Sequence, residues 1–220
     1  MMIKRMTLLV RKEELSFAQF RDYWHEHHAR IVERMPMVAG YVQNPVIERP
    51  SNDTGDSLAF TFDGIVELWF RDEGAKIAAF NSPAAKLLPE DEPNFIRGIT
   101  IFSIEEKELK PGKGDAKAML VGRTGPDPFG VLSAYGQIEN CVASLSGLRR
   151  VVANRVLSVD WRAHLWHEPN PPDLIVELRF ENVTAARAAL TWSRFASLEN
   201  EFKSRGGALV TQLVEERRVI

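Results

Sequence analysis

The sequence contains one cysteine, Cys141, among its 220 residues, which excludes an intramolecular disulfide. A chain without disulfides is typical of a reducing compartment, so we expect a cytoplasmic protein. Cys141 follows the helical spacing of Ile138, Val142 and Leu145. This spacing favours packing in a core over service as a nucleophile.

An excess of charge of one sign is also lacking, because 28 lysines and arginines stand against 30 aspartates and glutamates, leaving a net charge of −2. This balance gives no electrostatic reason to expect a nucleic acid or an anionic membrane as a partner. No apolar run approaches the roughly 20 residues of a membrane span. Residues 1–11, interrupted by Lys4 and Arg5, do not have the apolar region of a signal peptide.

Phosphate-binding glycine loops, a Walker lysine and a nucleophile elbow are absent, so no nucleotide cofactor is expected. Residues 25–29 resemble a zinc-binding helix only superficially, because Ala29 stands where the second histidine at i+4 is required. We therefore expect no metal. A metal held by His25 and His28 together with Glu67 or another carboxylate is the alternative.

What the sequence does contain is a repeat. Residues 63–70, Asp-Gly-Ile-Val-Glu-Leu-Trp-Phe, recur as Asp-Leu-Ile-Val-Glu-Leu-Arg-Phe at residues 173–180, with six of eight residues identical at an offset of 110. Three alanines of residues 75–79 and the charged residues 105–107 return at the same offset. We predict two homologous domains, residues 1–110 and 116–220. A duplicated fold needs its core in both copies but its chemistry in only one.

Each half shows the same order of predicted elements, βαββαβ, which is the ferredoxin-like motif. In the first helix, Ser16 and Gln19 form a capping box. The predicted elements are strands at 3–10, 38–47, 65–70 and 100–108 with helices from 17 and at 73–88, then strands at 118–121, 152–161, 174–180 and 209–214 with helices at 131–148 and 184–203.

The predicted fold is α+β, with two ferredoxin-like halves packed sheet to sheet as a pseudo-dimeric α/β barrel and the helices outside. A four-stranded antiparallel sheet with helices on one face leaves its other face apolar, and the second copy can cover that face. The interface between copies is then supplied within one chain. We expect a monomer with an internal pseudo-dimer, and a homodimer is the alternative.

The segment Phe-Arg-Asp-Tyr-Trp-His-Glu-His-His at residues 20–28, with Gly40 and Tyr41 after it and residues 63–70 downstream, resembles the EthD family of dimeric α/β-barrel proteins. The pair at 82–83, Ser-Pro, and the acidic residues before Phe95 are also similar to that family. The resemblance covers about residues 2–110. Residues 116–220 keep the fold pattern but lose the motif, since Asn140 falls opposite His28.

The resemblance implies a pocket beside His28 but no single reaction. The family is named for a small protein associated with bacterial ether degradation, and related barrels include cofactor-free monooxygenases, muconolactone isomerases, a polyketide cyclase and decarboxylases. More distant barrels bind haem. Fold alone does not choose among these activities.

His28 is the first catalytic candidate, because it lies on the apolar face of the first helix one turn after Trp24. Partial desolvation favours a neutral imidazole, which suits a general base. The alternative is a core histidine bonded to a backbone carbonyl. Tyr41, preferred to Tyr23, is the candidate donor to a developing oxyanion.

The candidate substrate-binding residues come from both halves: Phe20, Trp24, Glu67, Trp69, His164 and Trp166. Glu67 recurs in the second half and so serves the fold or, alternatively, orients His28. His164 and Trp166 lie in residues 161–167, which have no counterpart in the first half. This segment lines or covers a pocket, or Trp166 only caps the sheet.

The predicted function is cofactor-independent acid and base catalysis by His28 on a small apolar carbonyl, lactone or phenolic intermediate of catabolism, as an isomerase, a lyase or decarboxylase, or a cyclase. Proton transfer alone can drive such reactions. The first alternative is a small-molecule binding or accessory protein without catalysis. The second is a cofactor-free or haem-dependent monooxygenase.

Overall fold

The computed structural model describes residues 2–49, 60–126, 130–142, 145–191 and 193–220. Its strands are β1 (Ile3–Arg11), β2 (Val38–Glu48), β3 (Gly64–Phe70), β4 (Ile96–Lys110), β5 (Ala116–Arg123), β6 (Leu148–Trp161), β7 (Leu174–Phe180), β8 (Ala208–Val214) and β9 (Arg217–Arg218). Its α-helices are α1 (Phe17–Tyr23), α2 (Ala29–Glu33), α3 (Glu73–Phe80), α4 (Leu88–Asp91), α5 (Gly130–Val142), α6 (Val183–Leu190) and α7 (Ser193–Ser204).

The first eight strands form a closed antiparallel barrel, with neighbours in the order β3, β1, β4, β6, β7, β5, β8 and β2, and β2 closing onto β3. Each half contributes four strands in the same order, so the α+β barrel of two ferredoxin-like halves is confirmed. The halves are joined edge to edge by β4 with β6 and by β2 with β8. Closure of this kind leaves no open sheet edge.

The core has three layers. Because side chains alternate along a strand, Met6 and Leu8 of β1 enter the barrel interior, whereas Leu9 joins the layer between the sheet and the amino-terminal helices. A second helix layer, around Ile138 and Leu178, covers the other half. Cys141 is buried in this layer, as its spacing predicted.

One end of the barrel interior holds a buried charge network with pseudo-twofold symmetry. Lys4 contacts Glu67 at 2.8 Å, and its counterpart Lys117 contacts Glu177 at 3.1 Å. Lys117 also bonds Glu67 directly, and Asn44 donates to the same carboxylate at 2.9 Å. Burial by itself raises the pKa of Glu67, but Lys117 and Lys4 outweigh it and hold that pKa well below its ordinary value.

Three predicted helices differ from the structure. The helix predicted at 73–88 ends at Phe80, because Ser82 turns the chain by donating to the Ala79 carbonyl at 2.7 Å. The helix predicted at 131–148 ends its described part at Val142, and residues 143–144 lie outside the described residues. The helix predicted at 184–203 is two helices, α6 and α7, which flank position 192, also outside the described residues.

Candidate functional site

The first helix carries an irregular turn at the motif of residues 20–28. Ser16 caps α1 in the predicted capping box, with Gln19 as its partner. Between α1 and α2 the chain forms a π-helical turn, Trp24–His28, in which the amide of Ala29 donates to the Trp24 carbonyl five residues back. Such turns are rare and frequently lie at functional sites. Here the turn buries both Trp24 and His28 against the sheet.

His28 is held by a carboxylate from the segment that follows α3. Its Nδ1 lies 2.8 Å from Oδ2 of Asp91, at the end of α4, and the Tyr23 hydroxyl donates to Oδ1 of Asp91 at 2.8 Å. The imidazole packs on Phe95, with 4.8 Å between ring centroids. These contacts fix the ring and place the Nδ1 proton between His28 and Asp91, which leaves Nε2 available.

Asp91 is held in its charged form. Burial by itself raises the pKa of Asp91, but the hydrogen bonds from His28 and Tyr23 outweigh it, so the net shift is downward. The same arrangement raises the pKa of Tyr23, because burial and the adjacent carboxylate both disfavour a phenolate. Asp91 is therefore an anion and Tyr23 a neutral donor near neutral pH.

A narrow cavity of about 50 Å³ lies between the helices and the outer face of the first half-sheet. His28 and Tyr41 form part of its wall. Apolar side chains supply most of the rest, and the other polar members are Thr7, Arg5, Glu92 and Arg162. A volume of this size holds a few water molecules or one small functional group.

Arg5 is the most unusual member of this wall. It sits within β1, and its guanidinium lies over the Phe80 ring at 4.3 Å. Its Nε is buried and lacks a hydrogen-bond partner, and among the described residues Arg5 forms no ion pair. Burial, together with the positive charge of Arg162, lowers the pKa of Arg5 to about 10, so the group remains charged at neutral pH.

Arg162 reaches the cavity from the second half. It follows the end of β6 and contacts Glu92 at 3.0 Å. The chain then crosses back to the first half, where the Trp166 amide donates to the Arg97 carbonyl of β4 at 3.0 Å and the Trp166 carbonyl accepts from the Ile99 amide at 2.8 Å. We call residues 162–168 the crossing segment. Through it, the second half closes one side of the amino-terminal cavity.

The structure places the predicted amino-terminal residues close together. Phe20 stacks between Trp24, at 5.5 Å, and Phe95, at 6.0 Å. The Trp24 indole donates to the Tyr41 hydroxyl at 3.1 Å, and Gln43 donates to the same oxygen at 2.8 Å. Tyr41 lines the cavity, whereas Phe20 and Trp24 support it from behind. Burial raises the pKa of Tyr41 well above its ordinary value.

The structure does not bring Glu67 or Trp69 to His28. Both residues point to the opposite face of β3, where Glu67 belongs to the interior charge network and Trp69 packs on Gly40 and lies 5.0 Å from Lys4. Adjacent strand residues face opposite sides of a sheet, so Val66 and Leu68 line the cavity instead. The carboxylate that orients His28 is Asp91, not Glu67.

The structure also keeps His164 and Trp166 outside the cavity wall. His164 is exposed, and the partly exposed Trp166 covers Gly98 from outside. His167 stacks on Trp161 at 4.7 Å instead. The members of this segment that face inward are Arg162, on the cavity wall, and Leu165, which packs on the amino-terminal core.

In the described part of the second half, two polar residues of this cavity wall are replaced by apolar ones. In the strand registers, Arg5 pairs with Leu68 and Ala118 pairs with Leu178, so Ala118 takes the place of Arg5. By the same registers, Val151 stands where Tyr41 is. Ala118 and Val151 both belong to the hydrophobic layer around Ile138. Among the described residues, the second half therefore keeps the strand order of the first but not Arg5 and Tyr41 of its cavity.

Three residues of this candidate site carry little signal in the sequence. Asp91 was noticed only as one of several acids before Phe95, and its partner lies 63 residues away. Arg5 was noticed only as an interruption of an apolar strand, although a charge there requires a partner or a role. Arg162 lay between the more conspicuous Trp161 and His164 and was passed over.

Within the described ranges, no three His, Cys, Asp or Glu side chains are grouped closely enough to hold a metal ion. His25 faces Gln43 at 3.2 Å, and His28 faces Asp91. A haem macrocycle does not fit a cavity of about 50 Å³. In the described parts of the chain, none of the helices is both long and apolar enough to cross a membrane.

Comparisons with known proteins agree with this architecture. Residues 12–98 match the family model of the EthD domain. A solved structure described as an anthrone oxidase-like protein has a TM-score of 0.60 at 12% identity, over 99% of this chain and 93% of that one. A candidate monooxygenase from Fusobacterium nucleatum has a TM-score of 0.54 at 12% identity, over 98% and 94%. At such identities the likeness concerns the fold. No curated protein matches the sequence.

Proposed function

We propose that this chain, whose residues 12–98 form an EthD domain, is an enzyme that removes a proton from a small carbon acid, with His28 as the general base. The observation that carries the proposal is the pairing of His28 with Asp91, at 2.8 Å, on the wall of an apolar cavity. A buried imidazole held by a carboxylate at one nitrogen offers the other to a substrate. No cofactor is needed for this step.

Asp91 has two tasks in the proposed reaction. Asp91 accepts a hydrogen bond from Nδ1–H of His28, which keeps the Nε2 lone pair directed at the substrate. Its negative charge then stabilises the imidazolium that forms when Nε2 takes the substrate proton. Tyr23 in turn orients Asp91 through its hydrogen bond. A positioned base of this kind contributes roughly 10²-fold to 10⁴-fold to the rate.

Tyr41 is the proposed donor to the oxygen on which negative charge develops. Its hydroxyl oxygen already accepts from Trp24 and Gln43, so its own proton remains to be donated. Hydrogen bonds accepted by a hydroxyl polarise it and make it a stronger donor. The raised pKa of Tyr41 keeps the phenol protonated at working pH.

The lining supports a small apolar carbonyl, lactone or phenolic substrate. Leu9, Val32, Met35 and Ile99 provide hydrocarbon contacts around the polar groups. About 50 Å³ accommodates the reacting group but not a whole ring compound, so binding requires the cavity to widen. The crossing segment supplies Arg162 to this wall.

Once the proton has been removed, the carbanion can be protonated elsewhere, lose a leaving group or react with dioxygen. The first two outcomes are isomerase and lyase reactions. The third is the second candidate function, supported by solved structures of similar fold that are described as anthrone oxidase-like and as candidate monooxygenases. In that reaction, one anthrone and one dioxygen would give one anthraquinone and one water, so that all atoms are accounted for.

The proposal is tested with carbon acids in deuterium oxide. Anthrone, together with a panel of small ketones and lactones, is incubated with the protein, and exchange of the acidic hydrogen is followed by NMR while dioxygen uptake is recorded in parallel. We expect at least one compound to exchange faster with protein, and His28→Asn to reduce that acceleration about 100-fold or more. His164→Asn, an exposed histidine, is the matched control and is expected to behave as the wild type.

The result distinguishes the alternatives. If dioxygen uptake follows exchange, the second candidate is favoured over isomerisation or elimination. Tight binding without accelerated exchange for the whole panel points to a binding or accessory protein. Acceleration that survives His28→Asn removes His28 from the chemistry and overturns the proposal.

A further inference from the structure

We propose that the cavity recognises a carboxylate on its ligand, held by the guanidinium of Arg5, and that Arg162 of the second half completes this anion site. The ligand is thus a small apolar carboxylic acid in its anionic form. The inference rests on the proposed function only in placing the substrate in the same cavity. It adds the substrate class.

The first step is the missing partner of Arg5. Arginine is rarely removed from water without an anion beside it, because an unpaired buried charge is costly. Arg5 as a whole is half-buried, but its Nε is buried without a hydrogen bond, and no carboxylate of the described residues is paired with it. The ring of Phe80 under the guanidinium leaves its edges free for planar contacts.

The second step is that the neighbouring acids do not meet this need. Glu92, on the same cavity wall, is occupied by Arg162 through two guanidinium nitrogens, at 3.0 and 3.2 Å. Asp160 is exposed, and although its charge acts on Arg5 it forms no ion pair with that guanidinium among the described residues. The cavity therefore has one guanidinium more than the carboxylates that can bond it. One external carboxylate would supply the missing partner.

The third step is the chemistry of the complementary group. A guanidinium binds a carboxylate through two parallel hydrogen bonds, and the remaining wall is mostly apolar, which suits a hydrocarbon body. The charge is permanent rather than created during turnover. It therefore favours an anion that is present in the substrate from the start over an oxyanion that exists only transiently.

The fourth step is stoichiometry. Ala118 occupies the position of Arg5 in the second half, inside an apolar layer. Although the fold is duplicated, the chain then has one anion site. Arg162 also makes the site depend on both halves, since it belongs to the second half but lies on the wall of the first.

The test compares carboxylates with their neutral amides. Benzoate and 2-butenoate, and the corresponding amides, are titrated into the protein and followed by NMR. We expect one carboxylate bound per chain, each at least about 10-fold more tightly than its amide. Arg5→Met should weaken carboxylate binding about 10-fold or more and leave amide binding nearly unchanged. Arg155→Met, which removes an equal charge from an exposed ion pair with Glu105, is the control and should change affinity less than about 2-fold.

Other outcomes overturn the inference. Amides that bind the wild type as tightly as carboxylates, or carboxylate affinity that survives Arg5→Met, would show that Arg5 does not select the ligand. If Arg5→Met does not fold, the wild-type comparison still decides, and Arg5→Lys should weaken carboxylates several-fold because an ammonium lacks the planar fork. His28→Asn separates the two proposals. It should abolish hydrogen exchange yet retain carboxylate binding, so either proposal can fail while the other stands.

Discussion

Gly98 of β4 lies directly beneath the indole of Trp166. A β-carbon at position 98 would lie 2.6 Å from Cε3 of Trp166 and 3.1 Å from its carbonyl oxygen. Only glycine lets the crossing segment approach β4 this closely. Because Arg162 belongs to the same segment, this contact between the halves determines how the amino-terminal cavity is closed.

Gly98→Ala should therefore displace the crossing segment without dismantling the barrel. We expect a loss of about 1–3 kcal/mol in unfolding free energy from overpacking, and weaker ligand binding because Arg162 moves with the segment. Thermal unfolding and the carboxylate titration measure the two effects. Gly136→Ala is the matched control. Its β-carbon would meet nothing within 4 Å, and alanine within helix α5 should stabilise by about 0.5–1 kcal/mol.

Tyr41→Phe separates the structural role of the hydroxyl from the proposed catalytic one. Loss of the oxygen leaves the Trp24 and Gln43 donors buried without their acceptor, at a cost of about 1–3 kcal/mol. As the proposed oxyanion donor, it should also lower the turnover rate by roughly 10²-fold to 10³-fold at saturating substrate. A variant that is destabilised but turns over normally would restrict Tyr41 to the structure. Tyr135→Phe in the second half is the comparison and should leave turnover unchanged.

Asp91→Asn should act through His28. The amide can still accept from Nδ1, but it does not stabilise an imidazolium, so we expect the turnover rate to fall about 10²-fold with little change in KM. Tyr23→Phe removes only the hydrogen bond to Asp91 and should have a smaller effect of the same kind. Steady-state kinetics with any compound found active in the exchange assay measures both. If the turnover rate fell equally in the two variants, Tyr23 would not act merely by orienting Asp91.

Glu67→Gln tests whether that residue serves the fold. It removes the carboxylate that the buried Lys4 and Lys117 share. Because Lys4 keeps Glu106 and Lys117 keeps Glu177 as partners, we expect a loss of about 1–3 kcal/mol at pH 7. The folded pKa of Glu67 lies below its unfolded value of about 4.3, so its contribution is present above that pH and disappears as the pH falls through the folded pKa.

The difference in unfolding free energy between wild type and Glu67→Gln should therefore shrink as the pH falls below about 4. Denaturant unfolding across this range measures it. Glu105→Gln, from the exposed pair with Arg155, is the control and should cost less than about 1 kcal/mol. A pH-independent difference would mean that the charge of Glu67 does not matter.

The barrel could be predicted because its evidence is local or repeated. The capping box of Ser16 and Gln19 specifies where the first helix begins, and the recurrence of residues 63–70 requires the same strand twice. The burial of Glu67 and Glu177 at equivalent positions agrees with the expectation that a feature common to both halves supports the fold. What the repeat did not specify was that the two half-sheets hydrogen-bond along both edges.

The site was only partly predictable. His28 could be found because helical spacing places it on the apolar face behind Trp24. The face of β3 that meets the cavity could not be predicted. Alternation along the strand separates Glu67 from Val66 and Leu68, but it does not say which of these faces the helices. The sequence left Glu67 as one candidate beside its role in the fold, and the structure brings Val66 and Leu68 to the cavity instead.

The sequence by itself determined most of the elements, the order in which they recur and the candidate histidine, because periodicity, capping and repetition act over a few residues or recur along the chain. Only the tertiary structure decided that Asp91 pairs with His28, that Arg5 lacks a partner and that Arg162 crosses from the other half. These relationships join residues far apart in the chain. Their physical origin is the closure of the barrel and the path of the segments after α3 and β6, which no local pattern encodes.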